Sequence, residues 1–217
     1  MPGVPIPGDT EPDHVFLERI RVADLASTGA VQVVQHYDQG ADERIQADDL
    51  TKNGWCLGMV VDWLNHKKNE EAVYGAYWNL FMESTKASKI TFHMKAQKLA
   101  VKGGLTAIQK TLISLMAARK FTCTVASAKE EHAWSVNGIL LLCQKSKYVI
   151  LGLHGKAGAH AIGISANWAW EEFYVMDPNF GEVLIQSKIL LARWLTAFIA
   201  RTKYAERFPL FSVMGFE

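Results

Sequence analysis

The sequence predicts an α+β fold, with helices gathered in its first half and a mostly antiparallel sheet in its second. Two observations carry this. Up to about residue 120 the apolar residues recur at helical spacing, and after it come short β-rich runs separated by turns. A third sets the scale: 217 residues with 49% hydrophobic and 21% charged residues suit one compact soluble domain.

Taken in order, residues 1–12 hold four prolines, two glycines and no apolar period, and read as a flexible N-terminal arm; residues 13–217 read as one domain. Val15, Leu17, Ile20, Val22 and Leu25 give 13–26 a helical pattern. VQVVQHY (31–37) reads as a strand and the polar stretch 38–53 as a loop. Helices follow at 56–66, 69–83, 86–101 and 105–119, the last two separated by Gly103-Gly104. FTCTVAS (121–127) is a strand and 130–143 a helix. Strands at 147–153, 159–165, 172–177 and 182–186, a helix at 187–201 and a strand near 208–214 complete the chain.

Composition excludes several classes. No apolar run approaches the ~18 residues of a membrane-spanning helix. A net charge of +1 argues against a nucleic-acid-binding domain. Three cysteines, Cys56, Cys123 and Cys143, do not make a disulfide framework and fit a reducing compartment. MPGVPIPGDTEP has neither the basic and apolar regions of a Sec-type signal nor the Met-Gly start of a myristoylation site.

The chemistry starts at Cys56. Leu57, Val60, Val61 and Leu64 follow the i, i+3, i+4, i+7 rule, and Asn53-Gly54 is a turn, so Cys56 falls in the first turn of a buried helix. Unpaired N–H groups and the helix dipole favour a thiolate there. Cys123, inside a strand run, and Cys143, closing an apolar run, read as core residues. A base is offered by His160, which shares a strand face with Ile162 and Ile164; Phe173, Val175 and Asp177 share a face of the next strand. A hairpin pairing Ser165 with Glu172 would set His160 directly opposite Asp177, a carboxylate within reach of an imidazole. A nucleophile, a base and a group that orients the base are the parts of a thiol catalyst.

Gly54-Trp55-Cys56-Leu57-Gly58, His160-Ala161-Ile162-Gly163 and Met176-Asp177-Pro178-Asn179-Phe180-Gly181-Glu182 resemble the YopT-type family of cysteine proteases, papain-like bacterial virulence proteins with relatives among the avirulence proteases of plant pathogens. The resemblance spans about residues 50–190. It implies a papain-like fold, with a helical half carrying the nucleophile packed on an antiparallel sheet half carrying His and Asp. It implies Cys56 as nucleophile, His160 as general base and acid, and Asp177 as the residue that orients His160. It implies a protein substrate in a host cell, a secreted bacterial effector acting in the host cytoplasm, and no cofactor. Papain-like enzymes complete the oxyanion hole with an amide side chain shortly before the cysteine, and Asn53 is the nearest one upstream.

Other features take secondary readings. Trp55, Trp168 and Trp170 flank Cys56 and the hairpin tip and are candidates to line a substrate groove; Trp63, Trp78, Trp134 and Trp194 read as core. His154 and His160 lack the spacing of a metal site, so no metal is expected. Residues 84–129 carry nine basic and no acidic residues, leaving 14 basic against 22 acidic elsewhere. That stretch is a solvated face or a contact for an anionic membrane or acidic partner. Three functions fit: a protease, an acyltransferase resolving the same thioester with an amine, or a non-catalytic binding module.

Overall fold

The structure, a computed structural model, describes residues 31–43, 55–69, 77–78, 104–129, 136–155, 158–169 and 171–217. The expected arm and the helices at 13–26 and 86–101 lie outside them, as does the helix at 69–83 apart from Asn69, Tyr77 and Trp78. Seven strands form one sheet: β1 (Val31–His36), β2 (Cys123–Lys129), β3 (Tyr148–Gly155), β4 (Gly158–Asn167), β5 (Glu172–Asp177), β6 (Gly181–Ile185) and β7 (Leu210–Phe216). Their order is β1-β6-β5-β4-β3-β7-β2, and every neighbouring pair is antiparallel. The described helices are α1 (Cys56–Asn69), α2 (Gly104–Ala117), α3 (Val136–Cys143), α4 (Lys188–Thr202) and α5 (Tyr204–Arg207). The expected α+β class stands. The strand at 31–37 does not stay with the helices that follow it, because it pairs with β6 at the sheet edge.

The pleat sorts the core into two layers. Val149, Leu151, Leu153, Ile162, Ile164, Phe173, Val175 and Val183 face α3 and α4, whose Ile139, Leu191, Trp194 and Phe198 complete one cluster. Tyr148, Ile150, Ala161, Met176 and Met214 face the other way, onto α1 and α2, through Met59, Val60, Trp63, Leu112 and Met116. Helices thus pack on both faces of the sheet, with α1 and α2 on one and α3 and α4 on the other. Three of the tryptophans expected in the core, Trp63, Trp78 and Trp194, are buried there, while Trp134 lies outside the described residues.

Two glycines set how closely elements approach. A Cβ on Gly163 of β4 would meet the Trp63 ring at 2.9 Å and Val60 Cγ1 at 3.1 Å, so α1 lies directly on β4 there. Gly181 has φ +109°, and a Cβ there would collide with the Gln35 carbonyl, so only glycine lets β6 start against β1. Gly163→Ala is expected to lower stability by about 1–3 kcal/mol, because the buried Trp63 ring has nowhere to move; thermal unfolding of the variant measures it.

Candidate active site

α1 starts at Cys56, directly after the Trp55 carbonyl accepts the first helical bond from Met59 N–H at 2.9 Å. The helix lies against β4 over Gly163, which brings its first turn to the end of the sheet that carries His160. Cys56 is 7% exposed, and the His160 imidazole lies near enough for its charge and hydrogen bonding to act on the thiol. On the far side of that ring, His160 Nε2 donates to Asp177 Oδ1 at 2.9 Å. With Nε2 given to the carboxylate, Nδ1 is the nitrogen left for the thiol.

The expected hairpin register is off by two residues. Ser165 pairs with Tyr174, not Glu172, and Asn167 pairs with Glu172. β4 runs two residues further than its sequence pattern suggests, which buries Ala166 beside Phe173 and shortens the turn to four residues with Glu171 at φ 50°. A shift of two preserves the face on which each side chain stands. By this register Asp177 is level with Ile162 and diagonal to His160, and the long imidazole spans the offset. The β4–β5 pairing ends at Gly163↔Met176, while β4 remains paired to β3 through Leu153↔His160. His160 therefore stands where β4 and β5 have parted, and there a helix start on one face can meet a side chain from the other.

The surroundings of His160 are aromatic. Tyr204 of α5 lies 5.3 Å away, and Phe208 stacks on the ring at 6.3 Å and 23°. Burial pushes the imidazole pKa down, but the Asp177 charge and hydrogen bond, together with Cys56, outweigh it and raise it to about 10. Burial pushes the Cys56 thiol up, and the hydrogen bond and charge of His160 and the Leu57 N–H bring it below its ordinary value. Opposite shifts in a neighbouring pair describe a thiolate beside an imidazolium.

The other cysteines behave differently. Cys143 is buried without compensation and is pushed up to about 12, and burial also raises Cys123. The proposed Asn53 lies outside the described residues. Trp55 is 2% exposed and packs in the core with α1, so it offers no ring to a groove. Trp168 follows the far end of β4 from His160, roughly 26 Å away at ~3.3 Å per strand residue. There its ring meets Phe173 edge-on at 4.8 Å and donates Nε1–H to the Ser146 carbonyl. It is thus remote from His160, and Trp170 lies outside the described residues. Of the basic stretch, residues 84–103 lie outside them too; Lys110 and Lys120 are exposed, and Arg119 has the Asp62 charge of α1 beside it.

Three residues of this region escape a sequence reading of the site. Gln39, from the loop after β1, is 2% exposed and accepts the Trp55 N–H at 2.8 Å through Oε1. Its Nε2 donates to Asn179 Oδ1 at 2.6 Å. Asn179 Nδ2 donates to the Tyr204 hydroxyl at 3.0 Å, and Asn179 N–H donates to Asp177 Oδ1 at 2.8 Å. A glutamine in a polar loop and a tyrosine at a helix end carry no local signal. Asn179 falls inside the most specific motif, and its use is visible only when these partners are assembled.

A thiol at the start of a buried helix, set against a histidine and a carboxylate on an antiparallel sheet, is the arrangement of the papain-like cysteine peptidases. The model of the Peptidase C58 family, described as Yersinia/Haemophilus virulence surface antigen, matches residues 24–214, and the chain belongs to this YopT-type family. The crystal structure of the Pseudomonas avirulence protein AvrPphB shares the fold at TM-score 0.59 and 14% identity, over 78% of this chain and 94% of that one. The YopT domain of the Pasteurella multocida PfhB2 toxin is 19% identical over 84% of this chain and 92% of its own, at TM-score 0.30. No curated protein matches. Among the described residues, no three His, Cys, Asp or Glu side chains are grouped to hold a metal, and no helix is long and apolar enough to cross a membrane.

Reactivity reports these shifts directly. With limiting iodoacetamide at pH 6, Cys56 is expected to be alkylated well before Cys123 and Cys143, because only its thiol is lowered. Peptide mapping of the labelled protein measures it, and equal labelling of the three would contradict the shifts.

Proposed function

We propose that this protein is a cysteine endopeptidase that cleaves a specific host protein through a thioester acyl-enzyme, with Cys56, His160 and Asp177 as its catalytic triad. The observation that carries the reading is the neighbouring Cys56–His160 pair, with the thiol lowered and the imidazole raised by Asp177. Family membership supports the peptidase class and a virulence effector role.

The proposed steps start from that pair. The Cys56 thiolate attacks the scissile carbonyl carbon, and the carbonyl electrons move to oxygen. The Cys56 N–H at the helix start and the Asn53 amide are the proposed donors to that oxyanion. His160, already imidazolium, gives its proton to the departing amine as the C–N bond breaks, leaving the acyl group on sulfur. Neutral His160 then takes a proton from water, whose oxygen attacks the thioester, and Cys56 leaves as thiolate beside the re-formed imidazolium. Asp177 fixes the ring through Nε2 and stabilises its charge in both halves of the cycle. The basic stretch 84–129 is proposed to hold the protein against an anionic surface, with Lys110 and Lys120 as its exposed described members.

Comparing host-cell proteins after exposure to active protein and to Cys56→Ala tests the reading. New N-termini present only with active protein are expected. A mass gain on a target would make it an acyltransferase, and no covalent change would make it a binding module. With a cleaved substrate in hand, Asp177→Asn is expected to lower kcat by up to about 10⁴. It should also move the alkaline limb of kcat/KM to lower pH, since Asp177 is what holds the imidazole up.

A further inference from the structure

Past the His36↔Gly181 pair, the chain leaving β1 stays bonded to the turn between β5 and β6. Tyr37 N–H donates to the Phe180 carbonyl at 3.4 Å and Gln39 N–H to the Pro178 carbonyl at 3.0 Å. The main chain of Gln39 is thereby tied to the turn that follows Asp177. Its side chain is buried at 2% exposure and reaches the segment entering α1. Trp55 N–H can only donate, so the Gln39 atom that meets it at 2.8 Å is the amide oxygen. The Gln39 NH₂ then faces Asn179 Oδ1, at 2.6 Å. Both partners adjoin the site. Trp55 is the last residue before α1, so no helical carbonyl is available to its N–H. Asn179 N–H donates at 2.8 Å to Asp177 Oδ1, the oxygen that also accepts His160 Nε2–H.

We infer that Gln39 is a positioning residue, whose side-chain amide latches the start of α1 to the turn after Asp177 and so fixes the reach between Cys56 and His160. The inference rests on the catalytic reading above. Further along, α1 is held by apolar packing of Val60 and Trp63 over Gly163 and by Lys67 on Glu182. Apolar packing is non-directional and sets how close the helix lies rather than where its first residue stops. Hydrogen bonds at that first residue set the stop, and a 1 Å misplacement of reacting groups can cost about 10²-fold in rate. An amide suits the position because one partner needs an acceptor and the other a donor, with no charge added beside Asp177. The titratable and charged groups around the thiol and the latch are His160, Asp177, Asp38 of the same loop, and Tyr204 and Arg207 of α5. Asp38 Oδ1 accepts Gly40 N–H at 2.7 Å.

Gln39→Met tests the latch, because it keeps the length and the buried stem of the side chain and removes both of its hydrogen bonds. The readout is the rate of Cys56 alkylation by iodoacetamide as a function of pH, followed by peptide mapping, with thermal unfolding in parallel. On the acid limb the variant is expected to react about 3- to 10-fold more slowly, the worth of one hydrogen bond. The limb should move to higher pH, since a thiol set less well against the imidazolium ionises later. Leu191→Ala is the control for a purely structural effect. Leu191 is fully buried and lies about 16 Å along α4 from its end at Thr202. Its truncation is expected to lower the unfolding temperature and leave the limb in place.

If wild-type Cys56 is no more reactive than Cys123, the catalytic reading itself fails. If wild-type Cys56 is the reactive thiol but Gln39→Met leaves rate and limb unchanged, the latch is overturned while the catalytic reading stands. An equal movement of the limb in Leu191→Ala also overturns the latch, because loss of stability alone would then account for it. Should Gln39→Met fail to fold, Gln39→Asn takes its place. It keeps the amide but is one methylene too short to span both partners, so the limb is again expected at higher pH, and an unmoved limb overturns the latch.

Discussion

The hydrogen bond from His160 Nε2 to Asp177 Oδ1 is the interaction on which the rest of the site depends. It is 2.9 Å long and almost wholly buried. A charge taken out of water is destabilising unless it is paired and its remaining polar atoms are satisfied. This explains the surroundings of the pair. Asn179 N–H donates to the same carboxylate oxygen, Tyr204 stands beside it, and Phe208 covers the imidazole. The short helix α5, which follows Lys203 in a left-handed conformation, turns the chain so that Tyr204 faces inward against Phe180 and Phe198. The carboxylate keeps the imidazole protonated, and the protonated imidazole in turn makes a buried thiolate tolerable at Cys56.

The motif Met176-Asp177-Pro178-Asn179-Phe180-Gly181-Glu182 is dense because nearly every position has a physical task. Met176 packs on the α1 side of the sheet and Phe180 on the other. Asp177 holds His160 and turns the chain through Asn179 N–H with the same oxygen. Pro178 offers its carbonyl to Gln39 N–H, and Asn179 links Gln39 to Tyr204. Gly181 admits the Gln35 carbonyl. Glu182, 1% exposed, is neutralised by Lys67 of α1 at 2.7 Å and also receives Trp78 Nε1–H. The segment therefore fixes the carboxylate, the edge of the sheet and the angle of α1 together.

What the sequence makes legible follows from how each signal arises. The helix at Cys56 and the shared strand face of His160 and Asp177 come from periodicity, which survives a two-residue error in register because the strand period is two. The true register depended on how far Ala166 and Phe173 extend the hairpin, a matter of packing that alternation does not encode. Trp55 and Trp168 were legible as aromatic but not as buried or remote, since distance in the chain does not give distance in the sheet. Gln39 and Tyr204 lie 17 residues before Cys56 and 44 after His160, and only the folded chain brings them to the site. The contrast between a net charge of +9 in 84–129 and −8 elsewhere is not kept strictly apart in the fold, as Arg119 is set beside Asp62.

The central claim is the protonation state of one buried imidazole, and nitrogen-resolved NMR of His160 reads it directly. In protein labelled at histidine nitrogen and assigned with a Cys56→Ala reference, both ring nitrogens of His160 should carry protons at pH 7.5. They should remain so well above the ordinary histidine range, consistent with an imidazole raised to about 10. A single neutral tautomer at pH 7.5, with one nitrogen unprotonated, would contradict the account.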